Sequence, residues 1–242
     1  MEAFLVLFIG AILIVVLNRL PEKDSEKRKK HPLKSIRKMF ESFHEESIDP
    51  KETKKIKKEK RSRKEELLKT AEEYLLEGNQ KEAEKFYIEV LKIDEREPKS
   101  YKGLGQICFE RKNYKDAYEI FEKLTKLIPN DASNYCNLGM CCFKEKNFKE
   151  AIKNYEKAIS IEKKPAYYKN LGITQIRLKK YNDASDSFIT VLEKKKDEEV
   201  FKLLLSIIPE IKDKKKAKKI LLYLEGYDPK NVEVKRQLSK LK

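Results

Sequence analysis

The stretch from Tyr101 to Pro129, YKGLGQICFERKNYKDAYEIFEKLTKLIP, decides the fold, because its pattern returns in register along the chain. A shift of 34 residues carries Tyr101, Leu104, Gly105, Ala117 and Phe121 onto Tyr135, Leu138, Gly139, Ala151 and Tyr155. A second shift of 33 lands on Tyr168, Leu171, Gly172, Ala184 and Phe188. Self-similarity at this period marks a helical solenoid. An aromatic, a Leu and a Gly at offsets 0, 3 and 4 share one face of a first helix, where the Gly admits a close neighbour. Ala117 and Phe121 then stand at i and i+4 on a second helix, the Ala as contact point and the ring as filler between units. Pro129 ends the unit, since proline cannot continue a helix interior.

These residues resemble the tetratricopeptide repeat, a helix-turn-helix unit. In repeat phase, units begin near Lys64, Pro98, Ala132, Pro165 and Glu198. The first keeps Tyr74, Gly78, Ala83 and Tyr87, with Ala71 where the small residue belongs; the fifth keeps Ala217, Leu221, Leu224, Asp228 and Pro229, with Pro209 interrupting its first helix. The expected architecture is all-α: a right-handed superhelical solenoid of about five helix pairs over residues 64–231, closed by a capping helix over residues 232–242. Val232, Val234, Leu238 and Leu241 give that last helix an apolar face to lay on the fifth unit.

Composition agrees. Charged residues make up 40% of the 242, with seven Gly, eight Pro and no Trp, a helix-rich chain with solvated outer faces. Cys108, Cys136, Cys141 and Cys142 all fall on first helices and read as small core residues, reduced as in a reducing compartment. No CxxC pair occurs, and His31 and His44 lie outside the repeats, so the sequence offers nothing from which to build a metal site and points to no cofactor. No nucleophile motif or phosphate-cradling glycine loop is present either, which argues against an enzyme.

Ahead of the repeats, Ala3 to Leu17, AFLVLFIGAILIVVL, carries no charge, and with its neighbours reaches twenty residues, roughly 30 Å as a helix. Residues 1–20 therefore read as a single-pass transmembrane anchor. A cleaved signal peptide would want a basic leader and small residues at the cut, whereas the chain opens Met1-Glu2 and continues Asn18-Arg19-Leu20-Pro21. Basic residues cluster after the run, placing the N-terminus outside and the remainder in the cytoplasm. Residues 21–63 form a basic stalk. Leu33, Ile36, Phe40 and Phe43 give it a short amphipathic helix that could lie in the headgroup layer or pack on the first repeat. Lys51 to Lys64, KETKKIKKEKRSRK, cannot bury a core and reads as a solvated helix extension or a disordered tether. From Arg19 to Lys64 there are 18 basic and 9 acidic residues, much of the chain's net +15. The stalk could bind nucleic acid through phosphates, but no aromatic is interleaved with its basic run, and lipid headgroups are the favoured anion.

The resemblance implies partner binding in a concave groove lined by first helices. Carried over, the groove residues are Lys99, Lys102, Gln106, Asn137, Met140, Lys169, Asn170, Ile173 and Arg177. The floor is expected to be apolar around Cys136, Met140 and Ile173, with cations along its sides, suited to a protein or peptide with hydrophobic anchors and negative charge. Phe109, Phe143 and Ile176 read as interhelical core. A carboxylate clamp for chaperone tails is incomplete: Lys102 and Asn137 match it, while Gln106, Ala166 and Asn170 depart from it. The expected function is a membrane-anchored scaffold for assembling or localising a membrane-associated complex. The alternative is an organelle import or co-chaperone receptor binding presequences or chaperone tails.

Overall fold

The structure, a computed structural model, describes residues 50–241. The expected anchor at residues 1–20 and the amphipathic helix of the stalk lie outside the described residues, and no helix among those described is long and apolar enough to cross a membrane. The chain divides into two units, Met1–Glu59 and Lys60–Lys242. The repeats belong to the second.

Among the described residues every regular element is helical. Five pairs follow one another: α1 (Pro50–Leu76) with α2 (Gln80–Ile93), α3 (Pro98–Glu110) with α4 (Tyr114–Leu127), α5 (Ala132–Lys144) with α6 (Phe148–Ile161), α7 (Pro165–Arg177) with α8 (Tyr181–Lys194), and α9 (Glu198–Ile207) with α10 (Lys214–Tyr227). α11 (Val232–Lys240) closes the array, with Val234 and Leu238 buried. Each second helix from α4 to α8 packs on its own first helix and on the next, the contact pattern of a solenoid.

Four of the five expected unit starts are helix starts. The first is not: α1 runs unbroken from Pro50 through the Lys-rich segment, without a Gly or Pro inside it, so that segment is a solvated helix extension. The fifth unit departs where Pro209 stands. α9 stops after ten residues and a short 3-10 turn, Ile208–Glu210, carries the chain round.

The repeat pattern has a direct packing cause. Ala83, Ala117, Ala151, Ala184 and Ala217 occupy one register position on the second helices, and none is more than 3% exposed. One turn later comes a ring, and in three pairs it lies over the first-helix glycine: Phe121 on Gly105, Tyr155 on Gly139, Phe188 on Gly172. In the fifth pair Leu205 and Leu221 stand where Gly and ring stand elsewhere, both inside one buried cluster, so the volume is divided between two aliphatic side chains.

The turns inside the first four pairs are closed by backbone bonds, to which Asn79 and Asn147 add side-chain caps on the Glu82 and Glu150 amides, while in the fifth Asp213 caps α10. The residue in left-handed conformation is Gly78 in the first pair and Lys112, Lys146 and Lys179 in the next three, with φ between 57° and 78°. The following amide reaches back to close the first helix: Asn113 N–H to Cys108 O at 2.9 Å, Asn147 to Cys142 at 2.8 Å, Lys180 to Gln175 at 2.9 Å. At the connections between pairs, side chains cap α3, α5 and α9. Asp131 accepts from the Ser133 amide at 2.9 Å and Asp197 from Val200 at 3.1 Å.

Candidate functional site

The first helices present a row of side chains in repeat register, and its character changes along the array. On α3, Lys99, Lys102 and Gln106 are exposed. On α5 and α7, Asn137, Met140, Asn170 and Ile173 are half-buried, leaving part of each accessible, and Arg177 at the end of α7 is exposed. The expected residues thus come together as one strip, polar at α3 and softer at α5 and α7.

Two features of the expected groove are different in the structure. Cys136 is buried, 7% exposed, so it is not part of an open floor. The Asn170 side-chain amide lies over it, donating to Sγ at 3.5 Å. A short side chain at a position held elsewhere by Lys sinks beneath its neighbour, and burial pushes the Cys136 thiol up to about 11. The cationic sides are also partly neutralised. Lys169 bonds to Glu199 at 2.6 Å and lies 3.6 Å from Asp197, with only 23% of its side chain exposed. The hydrogen bond to Glu199 raises its pKa, with Asp197 adding to it. Lys99 reaches Glu72 of the preceding unit at 3.5 Å. Lys102 and Arg177 have no ion pair among the described residues.

The rings read as core pack as core. Phe109 meets Tyr114 edge-on at 5.2 Å and Phe143 meets Phe148 at 5.5 Å between centroids, and Ile176 lies against the buried cluster of the last two pairs. Gln106 is drawn sideways by its amide hydrogen bond to Glu110 at 2.9 Å, and the same carboxylate accepts from Gln80 at 2.6 Å, linking the first two units at the strip's border.

Several residues that shape the strip were not read from the sequence. Glu72, Asp197 and Glu199 bind its lysines from neighbouring units, at spacings of about one repeat, the one signal that could have suggested them. Gly103 was also missed. Beside Lys102, it gives the Tyr87 ring of the preceding pair a place to lie, since a side chain there would collide with the ring.

Among the described residues no group of His, Cys, Asp and Glu is arranged to hold a metal ion. Burial pushes Cys141 and Cys142 up to about 12 and 11, so both stay protonated at neutral pH.

Residues 98–131 and 132–165 each match a family model described as tetratricopeptide repeat. Among solved structures, the crystal structure of MamA protein is 18% identical with a TM-score of 0.62, covering 69% of this chain and 93% of that one. YrrB, described as a TPR protein with an unusual peptide-binding site, is 18% identical with a TM-score of 0.57 over 71% of this chain and 89% of its own. MamA 41-end from Desulfovibrio magneticus RS-1 is 23% identical with a TM-score of 0.52 over 54% and 74%. At these identities the likeness is one of fold. No curated protein sequence matches the chain. Residues 98–165 thus match the tetratricopeptide repeat, and the described residues form a run of helix pairs like that of the structures compared.

Proposed function

We propose that the protein is a membrane-held scaffold whose repeats take a protein or peptide segment along the strip of α3, α5 and α7. The observation that carries this reading is the strip itself: Lys102, Gln106, Asn137, Met140, Ile173 and Arg177 follow one another on consecutive first helices with side chains left accessible. Met140 and Ile173 provide adaptable apolar contacts. Lys102 and Arg177 supply the cations still unpaired, which favours a segment with hydrophobic anchors and a carboxylate toward each end. The peptide-binding site named for YrrB, a protein of like fold, supports a binding role for such a solenoid.

The membrane part of the proposal rests on sequence. The uncharged run Ala3 to Leu17 suffices for a span, and the basic residues after it favour an outside N-terminus and cytoplasmic repeats.

Both parts can be tested in the full-length chain. A photo-crosslinking residue at Gln106 or Met140 should capture a partner, whereas the same residue at Glu119 or Glu156, exposed on second helices, should not. Capture only from the second helices would overturn the strip. On fractionation, the full chain should stay with membranes under alkaline extraction and a chain lacking residues 1–20 should be released. A full chain recovered as soluble would overturn the tether.

A further inference from the structure

Because successive helices run antiparallel, the turns inside pairs lie on one edge of the solenoid and the connections between pairs on the other. The two edges differ sharply in charge. In the turns of the second to fifth pairs, residues 110–115, 144–149, 177–182 and 210–215, there are twelve basic and four acidic residues. In the connections, residues 94–99, 128–133, 162–167, 195–200 and 228–233, there are seven basic and ten acidic.

Ion pairing sharpens the contrast. The connection edge is internally compensated: Lys64 with Asp94 and Glu97, Lys164 with Glu162, Lys195 with Asp197. On the turn edge all twelve basic residues are exposed, and Arg111, bound to Glu84, is the one that forms an ion pair among the described residues. Three of them, Lys112, Lys146 and Lys179, occupy the left-handed position that Gly78 takes in the first pair. A charge is kept at the apex of these turns although a glycine would fit with less strain.

We propose that this edge docks the solenoid on an anionic lipid surface, an inference that rests on the membrane tether proposed above. Each of these turns carries three basic residues within six, and the turns recur once per helix pair along the edge. The turns therefore act on a charged plane as one extended cation. Two observations favour lipid over nucleic acid. Of the three rings at these turns, Tyr114 and Phe148 are held edge-on against Phe109 and Phe143, and Tyr181 is half-buried against the last core cluster, so none is freely offered to bases. Ten of the twelve cations are Lys, a point charge suited to a diffuse anionic plane, where Arg would serve fork-like contacts to phosphates and bases.

The test is lysine footprinting. Full-length protein is reconstituted in vesicles of phosphatidylcholine, alone or with about one third phosphatidylglycerol, and treated with a membrane-impermeant acylating reagent. Lys112, Lys146, Lys149, Lys179 and Lys180 should become protected in the anionic vesicles only, and reactive again at about 1 M salt, where the screening length is ~3 Å. Lys163, Lys196 and Lys230 on the other edge should stay reactive throughout.

The variant Lys115→Glu, Lys149→Glu, Lys215→Glu places carboxylates in the first turns of α4, α6 and α10, where a helix N-terminus favours them, so the fold should be retained. It should weaken the anionic-surface association about a hundredfold, at roughly fivefold per cation removed. Lys163→Glu, Lys196→Glu, Lys230→Glu, the same charge change on the other edge, should have little effect. Equal reactivity of both edges in both vesicles overturns the proposal, as does equal sensitivity to the two triple variants. Protection by an added oligonucleotide and not by anionic vesicles overturns it in favour of nucleic acid. Loss of the tether gives a distinct result: the chain no longer floats with neutral vesicles. In that case flotation with anionic vesicles, with the turn edge protected, upholds this edge, and its absence overturns it.

Discussion

Replacing Gly139 by Ala tests the packing rule that generates the array. A Cβ at that position would lie 2.6, 2.8 and 3.0 Å from three carbons of the Tyr155 ring, against an ordinary separation of about 3.5–4.0 Å. Tyr155 is 2% exposed within a filled cluster, so the ring has little room to withdraw. Overpacking of this kind costs about 1–3 kcal/mol, while exchanging Gly for Ala inside a helix returns about 1 kcal/mol. The net expectation is a loss of about 1 kcal/mol, or roughly 2–4 °C in Tm for a chain of this size. Gly226→Ala is the matched control. It also lies inside a helix, α10, but nothing stands within 4 Å of its Cβ position, so the helix preference should act alone and stabilise by about 0.5–1 kcal/mol. Thermal unfolding followed by far-ultraviolet circular dichroism should therefore show Tm shifts of opposite sign for the same substitution. Combining Gly139→Ala with Tyr155→Leu should recover part of the loss, with a coupling on the order of 1 kcal/mol. If Gly139→Ala raised Tm, or its effect simply added to that of Tyr155→Leu, the ring-on-glycine contact would not set the packing.

Gly78→Ala should destabilise by about 1 kcal/mol through its left-handed backbone alone, since open space surrounds it, and Gly78→Asn should cost less in the same melting assay. The Lys64 side chain, together with the Arg96 amide, holds the Asp94 carboxyl below its usual range. Its contribution is therefore present above the unfolded carboxylate pKa of about 3.9 and is lost as pH falls through the lower folded value. In Lys64→Met, Tm measured against pH should start lower at neutral pH and fall less steeply below about pH 4. At about pH 8 a thiol reagent should modify half-buried Cys108 first, and should reach Cys136, Cys141 and Cys142 only on unfolding, because burial holds all three as thiols.

Much of the fold was written in local spacing. The starts of α3, α5, α7 and α9 were legible because a Pro or an acidic cap and a periodic apolar face mark them within a few residues. The positions of the ring and the glycine were legible because both recur in register, but not that each ring lies on the glycine of its own pair, where the repeat pattern had it filling space between units. The early start of α1 was hidden because a run of Lys and Glu has good helix propensity but no apolar face, so composition left it open between helix and tether. Of the first-helix strip, the register of its residues was legible in the repeat, and its electrostatics were not. Whether Lys169 is a free cation depends on where Glu199 of the next unit falls, which is set by how units stack and not by the sequence near Lys169. Cys136 and Lys169 share a register position, yet one is buried and the other reaches an acid, because side-chain length decides at a half-covered site.

The division of charge between the edges follows from how each is held together. Connections join different units, and there Asp94, Glu97, Asp197 and Glu199 bind lysines while Glu97 and Asp197 also cap helices, so their side chains are engaged in folding. Turns inside pairs are closed by backbone bonds such as Asn147 N–H to Cys142 O, which leaves the side chains of Lys146 and Lys149 without a structural task. Stability should therefore separate the two groups. Lys169→Met breaks an inter-unit pair with a carboxylate, Asp197, that is only 10% exposed, and should lower Tm measurably. Lys149→Met touches nothing that holds the fold and should stay within about 0.5 kcal/mol of wild type. Equal loss in both would mean that the turn lysines stabilise the fold after all, and their exposure could no longer be assigned to an outside surface.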